Sequence, residues 1–94
     1  MTYARGVTVT ESGVVLNRPT KISGITITAV TADTLVKLRD GEAGGPVVWQ
    51  GEADNAGSSL GRSFVPPLRF FHKVYVEFAS SGANSGVSIE FVEP

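Results

Sequence analysis

A lone histidine, four carboxylates around one apolar strand and a glycine-rich turn are the places where residue types in this chain could do chemistry. His72, in Phe70-Phe71-His72-Lys73, would need partners: no second His and no Cys exists to complete a metal set, and a Ser-His-Asp arrangement is not recognisable from residue types alone. A structural role is the preferred reading. Asp40, Glu42, Glu52 and Asp54 flank Val47 to Gln50, and a hairpin there could bring some of them together as oxygen ligands for calcium. Their spacing departs from an EF-hand loop, so ordinary solvated turns are preferred. Gly41 to Gly45 lacks the terminal Lys-Ser/Thr and the following helix of a phosphate loop, and reads as a turn. Trp49, Tyr3 and Tyr75 could line a sugar-binding face, but alternation puts Trp49 on the same face as Val47, which favours the core or a subunit contact. Glu77 and Glu90 would lie near each other if the last two strands pair. Either the register then separates them or a base such as Lys37 or Arg39 sits nearby. The sequence thus predicts no catalytic residue, no metal and no cofactor.

Composition narrows the classes further. At 94 residues the chain is the size of one domain, expected to span residues 1–94. Hydrophobic residues make up 41% and charged residues 18%, richer in apolar material and poorer in charge than most soluble domains. Either partner subunits cover some of that surface, or the Val and Ile content simply reflects β-structure. The net charge is −1 and the eight basic residues are spread along the chain, which argues against a nucleic-acid surface. With no cysteine, packing and backbone pairing must hold the fold. Met1 to Gly6 carries no apolar signal core, and no apolar run approaches the ~20 residues of a spanning helix, so synthesis in a cytoplasm and no membrane partner are expected.

Period-two alternation between Gly-, Pro- and Asp-rich breaks predicts the elements that must position these residues. Short strands are expected at Val7–Thr10 and Gly13–Leu16. Lys21–Val30 follows, with Ile25, Ile27 and Ala29 on one face, Thr26, Thr28 and Val30 on the other, and Gly24 at a bulge or close backbone approach. Thr34–Arg39 turns through Asp40-Gly41 and Gly44-Gly45-Pro46 into Val47–Gln50. Gly51 to Ser59 reads as a loop and as the flexible segment. Leu60–Val65 forms a strand, and Pro66-Pro67 marks a sheet edge or a crossing between sheets. Leu68–Phe70, Val74–Phe78 and Val87–Phe91 read as a second hairpin system. No window carries a helical period. The expected fold is all-β: a compact two-sheet β-sandwich or jelly-roll-like domain of about eight short strands.

Leu35-Val-Lys-Leu-Arg-Asp-Gly41, Gly44-Gly-Pro-Val-Val-Trp-Gln-Gly51, Pro67-Leu-Arg-Phe70 and Val74-Tyr-Val-Glu-Phe78 together resemble small all-β virion structural proteins of tailed bacteriophages, over roughly residues 4 to 92. The chain differs from many of them in its longer Gly51-to-Ser59 loop and in the paired prolines. The resemblance implies a capsid decoration or cement protein that binds the outer shell and bridges capsomers. Its partners would be the major capsid protein and further copies of itself, as a homo-oligomer on the virion surface. A tail or neck adaptor, a fibre-associated module and a carbohydrate-binding β-sandwich module are the alternatives, and an enzyme is the least favoured. Tyr3, Arg5, Arg39, Trp49, Arg69 and His72 are the expected partner contacts, because aromatic residues and Arg are enriched at interfaces.

Overall fold

The computed structural model describes residues 4–30, 33–54, 57–80 and 85–92. Eight strands follow one another: β1 Ala4–Val9, β2 Gly13–Leu16, β3 Thr20–Thr28, β4 Thr34–Asp40, β5 Val47–Ala53, β6 Ser59–Phe70, β7 Val74–Ser80 and β8 Gly86–Val92. They form two four-stranded antiparallel sheets, ordered β1-β8-β3-β6 and β2-β7-β4-β5. The first strand pairs with the last, the second with the seventh, the third with the sixth and the fourth with the fifth. That nesting, with β3 also beside β8 and β4 beside β7, is a jelly-roll order. The described residues contain no helix that could cross a membrane.

Alternation decides which residues fill the space between the sheets. Ile25, Ile27, Val87, Ile89 and Phe91 come from the first sheet, and Val36, Leu38, Val74 and Val76 from the second. All are nearly or wholly buried, and a fully buried side chain of this kind contributes about 1.5 to 3 kcal/mol. Ile22 is buried as well, although it lies three residues from Ile25. A period-two strand would put these two on opposite faces. The β3 register shifts between Ile22 and Gly24 against both β6 and β8, and this one-residue bulge brings both isoleucines inside. Gly24 fulfils both expectations for it: a Cβ there would stand 3.3 Å from the Arg62 carbonyl oxygen.

Opposite that bulge, Phe64 to Pro67 drops out of the β6 ladder, which resumes at Leu68. β6 is an edge strand, so two residues without an N–H are accommodated there, with the Val65–Pro66 bond cis. The prolines therefore mark an edge and not a crossing.

Three expectations need correction. β6, β7 and β8 are not a hairpin system: each passes to the other sheet, and β4–β5 is the one pair of consecutive strands that hydrogen-bond to each other. Glu77 and Glu90 consequently belong to different sheets. The expected Gly51-to-Ser59 loop is shorter, because β5 runs on to Ala53 and β6 begins at Ser59. Between them, Gly57 donates its N–H to the Ala29 carbonyl at 2.7 Å and Ala29 donates to Ser58 at 2.9 Å, which ties this connection to the end of β3.

Candidate functional site

One end of the sandwich gathers the β4–β5 turn, the β2–β3 connection and the β6–β7 connection Phe71-His72-Lys73. Gly41, at φ 106°, starts the β4–β5 turn in a region that favours glycine. Asp40 N–H bonds to the Pro46 carbonyl at 3.0 Å, and Gly45 N–H to Glu42 at 2.8 Å. Gly45 packs against the Asp40 carbonyl where a Cβ would collide, so the glycine-rich stretch is the turn its composition predicted.

Asp40, the last residue of β4, is 9% exposed and reaches across to the neighbouring connection. Its Oδ2 accepts from Phe71 N–H at 3.0 Å and its Oδ1 from His72 N–H at 2.9 Å. Gly41 N–H bonds to the Lys73 carbonyl at 3.0 Å, so both polar directions of the connection are held. Burial disfavours the charged form of Asp40. The N–H groups of Phe71, His72 and Lys73, with the His72 ring beside them, outweigh it and hold the carboxyl below its ordinary value. His72 Nδ1 lies 3.6 Å from Oδ1, with the ring in solvent. The single histidine therefore belongs to the anchored connection through its backbone.

The anchor holds Phe71 out in water at 64% exposure. Alternation explains this: Phe70 ends β6 pointing inward, 1% exposed, so its neighbour points out. The Arg69 guanidinium stands over the Phe71 ring at 5.6 Å from its centroid, a cation–π arrangement. Arg69 is also directly opposite Lys21 in the β3–β6 register, and both line a shallow open depression with Pro19, Thr20 and Phe70. Arg18 lies nearby, 5.9 Å above the Phe91 ring. The result is a fixed tip on which an exposed aromatic ring carries a stacked Arg69, with Lys21 opposite that Arg across the ladder. Phe71 was not among the sequence candidates, and its signal was the Phe-Phe pair, of which one member only can face the core.

The remaining candidates are dispersed. Arg39 lies on the outer face of the second sheet, bonding Glu77 through Nε at 2.7 Å and the Gly45 carbonyl through Nη1 at 2.8 Å. Its base supplies the neighbour that Glu77 requires. In register it stands between Tyr75 and Val47, and Tyr75 stands beside Val14, so one outward row crosses all four strands.

Trp49 does not share a face with Val47. The register places Leu38 opposite Trp49 but Arg39 opposite Val47, leaving Val48 as a bulge. Val47 is turned outward at 42% exposure, while Trp49 packs against the core and meets Phe64 edge-on, ring centroids 5.6 Å apart. Tyr75 is on the outer face and Trp49 on the inner face, so these two rings do not form one sugar platform. Arg5 pairs with Phe91 in the β1–β8 register, and Tyr3 lies outside the described residues.

The four carboxylates do not converge either. Asp40 and Glu42 are at the tip, whereas Glu52 is opposite Leu35, five residues back along β4 and hence about 17 Å away. There it shares a hydrogen bond with Asp54. That bond, then burial, then the charges of Asp54 and Asp33 push its carboxyl up. Among the described residues no three metal-binding side chains are grouped.

Comparison with protein-family models, with curated proteins and with solved structures finds no match in any of the three.

Proposed function

We propose that this protein is a non-catalytic structural component of a bacteriophage particle, a capsid decoration or cement protein that docks on the outer shell and bridges capsomers. The reading starts from the resemblance of the β4–β5 and β6–β7 segments to small phage virion proteins. The observation that carries it is the tip: Phe71, with Arg69 stacked on it, held outward by the buried Asp40 carboxylate. An exposed aromatic framed by Arg is the composition of a binding hot spot. Fixing it beforehand lowers the ordering cost of association. A sandwich held together without disulfides also suits a part made in a host cytoplasm and assembled onto a shell there.

The tip fits a shell surface that is apolar at its centre and acidic around it. Quantitative mass spectrometry of gradient-purified particles tests the assignment. Copies on the scale of the major capsid protein are expected, a handful per particle would move the protein to the tail or neck, and absence would discard the virion reading. Binding to expanded heads tests the tip. Phe71→Ala is expected to weaken binding by about 2 kcal/mol or more, roughly thirty-fold. Because Phe71 is mostly in solvent, its melting temperature should stay near that of the wild type, and unchanged affinity would remove the tip from the docking surface.

A further inference from the structure

The sandwich has four strand edges, β1 and β6 in one sheet and β2 and β5 in the other. An edge presents a row of unpaired N–H and C=O groups, and proteins blunt it with proline, bulges, shortness or a cover. Three of these edges are blunted. β6 leaves its ladder from Phe64 to Pro67 and has two prolines there. β5 has the bulge at Val48, and Phe64 of β6 stands against its Trp49. β2 has four residues and a register break between Val14 and Leu16.

Among the described residues β1 has none of these devices. Its six residues keep one unbroken register with β8, from Ala4 opposite Val92 to Val9 opposite Val87. It contains no proline and no charge from Gly6 through Val9. Every second residue turns its N–H and C=O away from β8, and among the described residues no backbone bond outside that ladder uses them.

We propose that β1 is the edge through which two copies of this chain pair, antiparallel, joining two four-stranded sheets into one continuous sheet. The chemistry of an edge calls for another extended backbone, and an antiparallel strand related by a twofold axis is its own complement. A twofold perpendicular to the sheet keeps inner faces on the inner side, so residues of like face must stand opposite each other. Centring the pair on Val7 does this: Val7 meets Val7 of the second copy, and Gly6 meets Thr8. Val7 and Val9 are partly buried against the core, and the row Ile25, Ile89 and Val7 continues across the junction into Val7 and Ile89 of the second copy as a β-branched stripe. No like charges stand opposite each other. A Cβ at Gly6 would meet nothing closer than the Ile89 carbonyl at 3.8 Å, so packing within the chain does not demand glycine, whereas facing Thr8 of a second copy favours a small residue. The pairing does not depend on the virion reading, although a twofold dimer would carry two docking tips and so could bridge.

Sedimentation equilibrium of the purified chain is the test, with Thr8→Lys against Val65→Lys, both exposed, the second on the blunted edge. A dimer is expected for the wild type and Val65→Lys, and a monomer for Thr8→Lys. The chain has no cysteine, so Val7→Cys reads the register: it should cross-link to itself under oxidation, while Val14→Cys on β2 should not. That second readout decides the matter should Thr8→Lys fail to fold. A monomeric wild type, a dimer unaffected by Thr8→Lys, or equal cross-linking at both cysteines overturns the proposal. So does a monomer that takes up a strand from another protein at β1.

Discussion

Asp40 joins two sheets with one side chain, receiving N–H groups from a connection that begins in the opposite sheet. Each hydrogen bond to a charged acceptor contributes about 1.5 to 3 kcal/mol, so Asp40→Ala, which removes two, should lower unfolding stability by about 3 kcal/mol or more. The pH dependence has a definite sign. Its folded carboxyl titrates below its unfolded value, so its contribution is complete above the ordinary carboxylate range and is lost as pH falls through the folded value. Denaturant titrations across acidic pH should show the wild type losing more stability than Asp40→Asn. Parallel curves would mean that the carboxylate charge contributes nothing. The same substitution frees Phe71 to move, so weakened head binding is expected even where the fold persists.

At the scale of the element, β5 couples a bulge to a glycine. The bulge at Val48 turns Trp49 inward, and its indole lies over Gly51, where a Cβ would collide with the ring. Gly51→Ala should cost about 1 to 3 kcal/mol as the ring is displaced from Phe64. Trp49 is the sole tryptophan, so a shifted emission maximum should accompany the loss, and an unshifted, equally stable variant would disprove this packing. Period two was legible wherever strands are regular: Ile25-Ile27-Ala29, Val36-Leu38 and Val87-Ile89-Phe91 are buried as their alternation predicted. It failed at Val47 and Trp49 because a bulge inserts a residue without a composition signal. Periodicity names the buried face and not the strand across the ladder, which is why Val74–Phe78 and Val87–Phe91 were expected to pair and instead occupy different sheets. At the tip, Arg69 and His72 were legible as residue types. The anchoring by Asp40, 31 residues before Phe71, was not, because a side-chain contact over that separation exists only in the folded topology.

Across the whole molecule, nesting makes β8 indispensable. It lies between β1 and β3 and supplies Val87, Ile89 and Phe91 to the core, so a chain ending at Ser85 should remain unfolded, with flat near-ultraviolet circular dichroism. A cooperative melt from that truncation would refute the assigned order. Pairing the first strand with the last also requires the longest loop closure, which places folding in the millisecond-to-second range of all-β sandwiches; stopped-flow Trp49 fluorescence would measure it. The Ala4–Val92 pairing has a mechanical meaning too. Tension applied through these two neighbouring residues pulls β1 and β8 apart sideways, loading their ladder bonds one after another. A protein gripped there should unzip at low force, whereas the same ladder loaded lengthwise would share the force among all its bonds. Optical-trap measurements with handles at Ala4 and Val92, compared with handles at Ala4 and Gly86, would reveal this directional strength, and equal rupture forces would deny it.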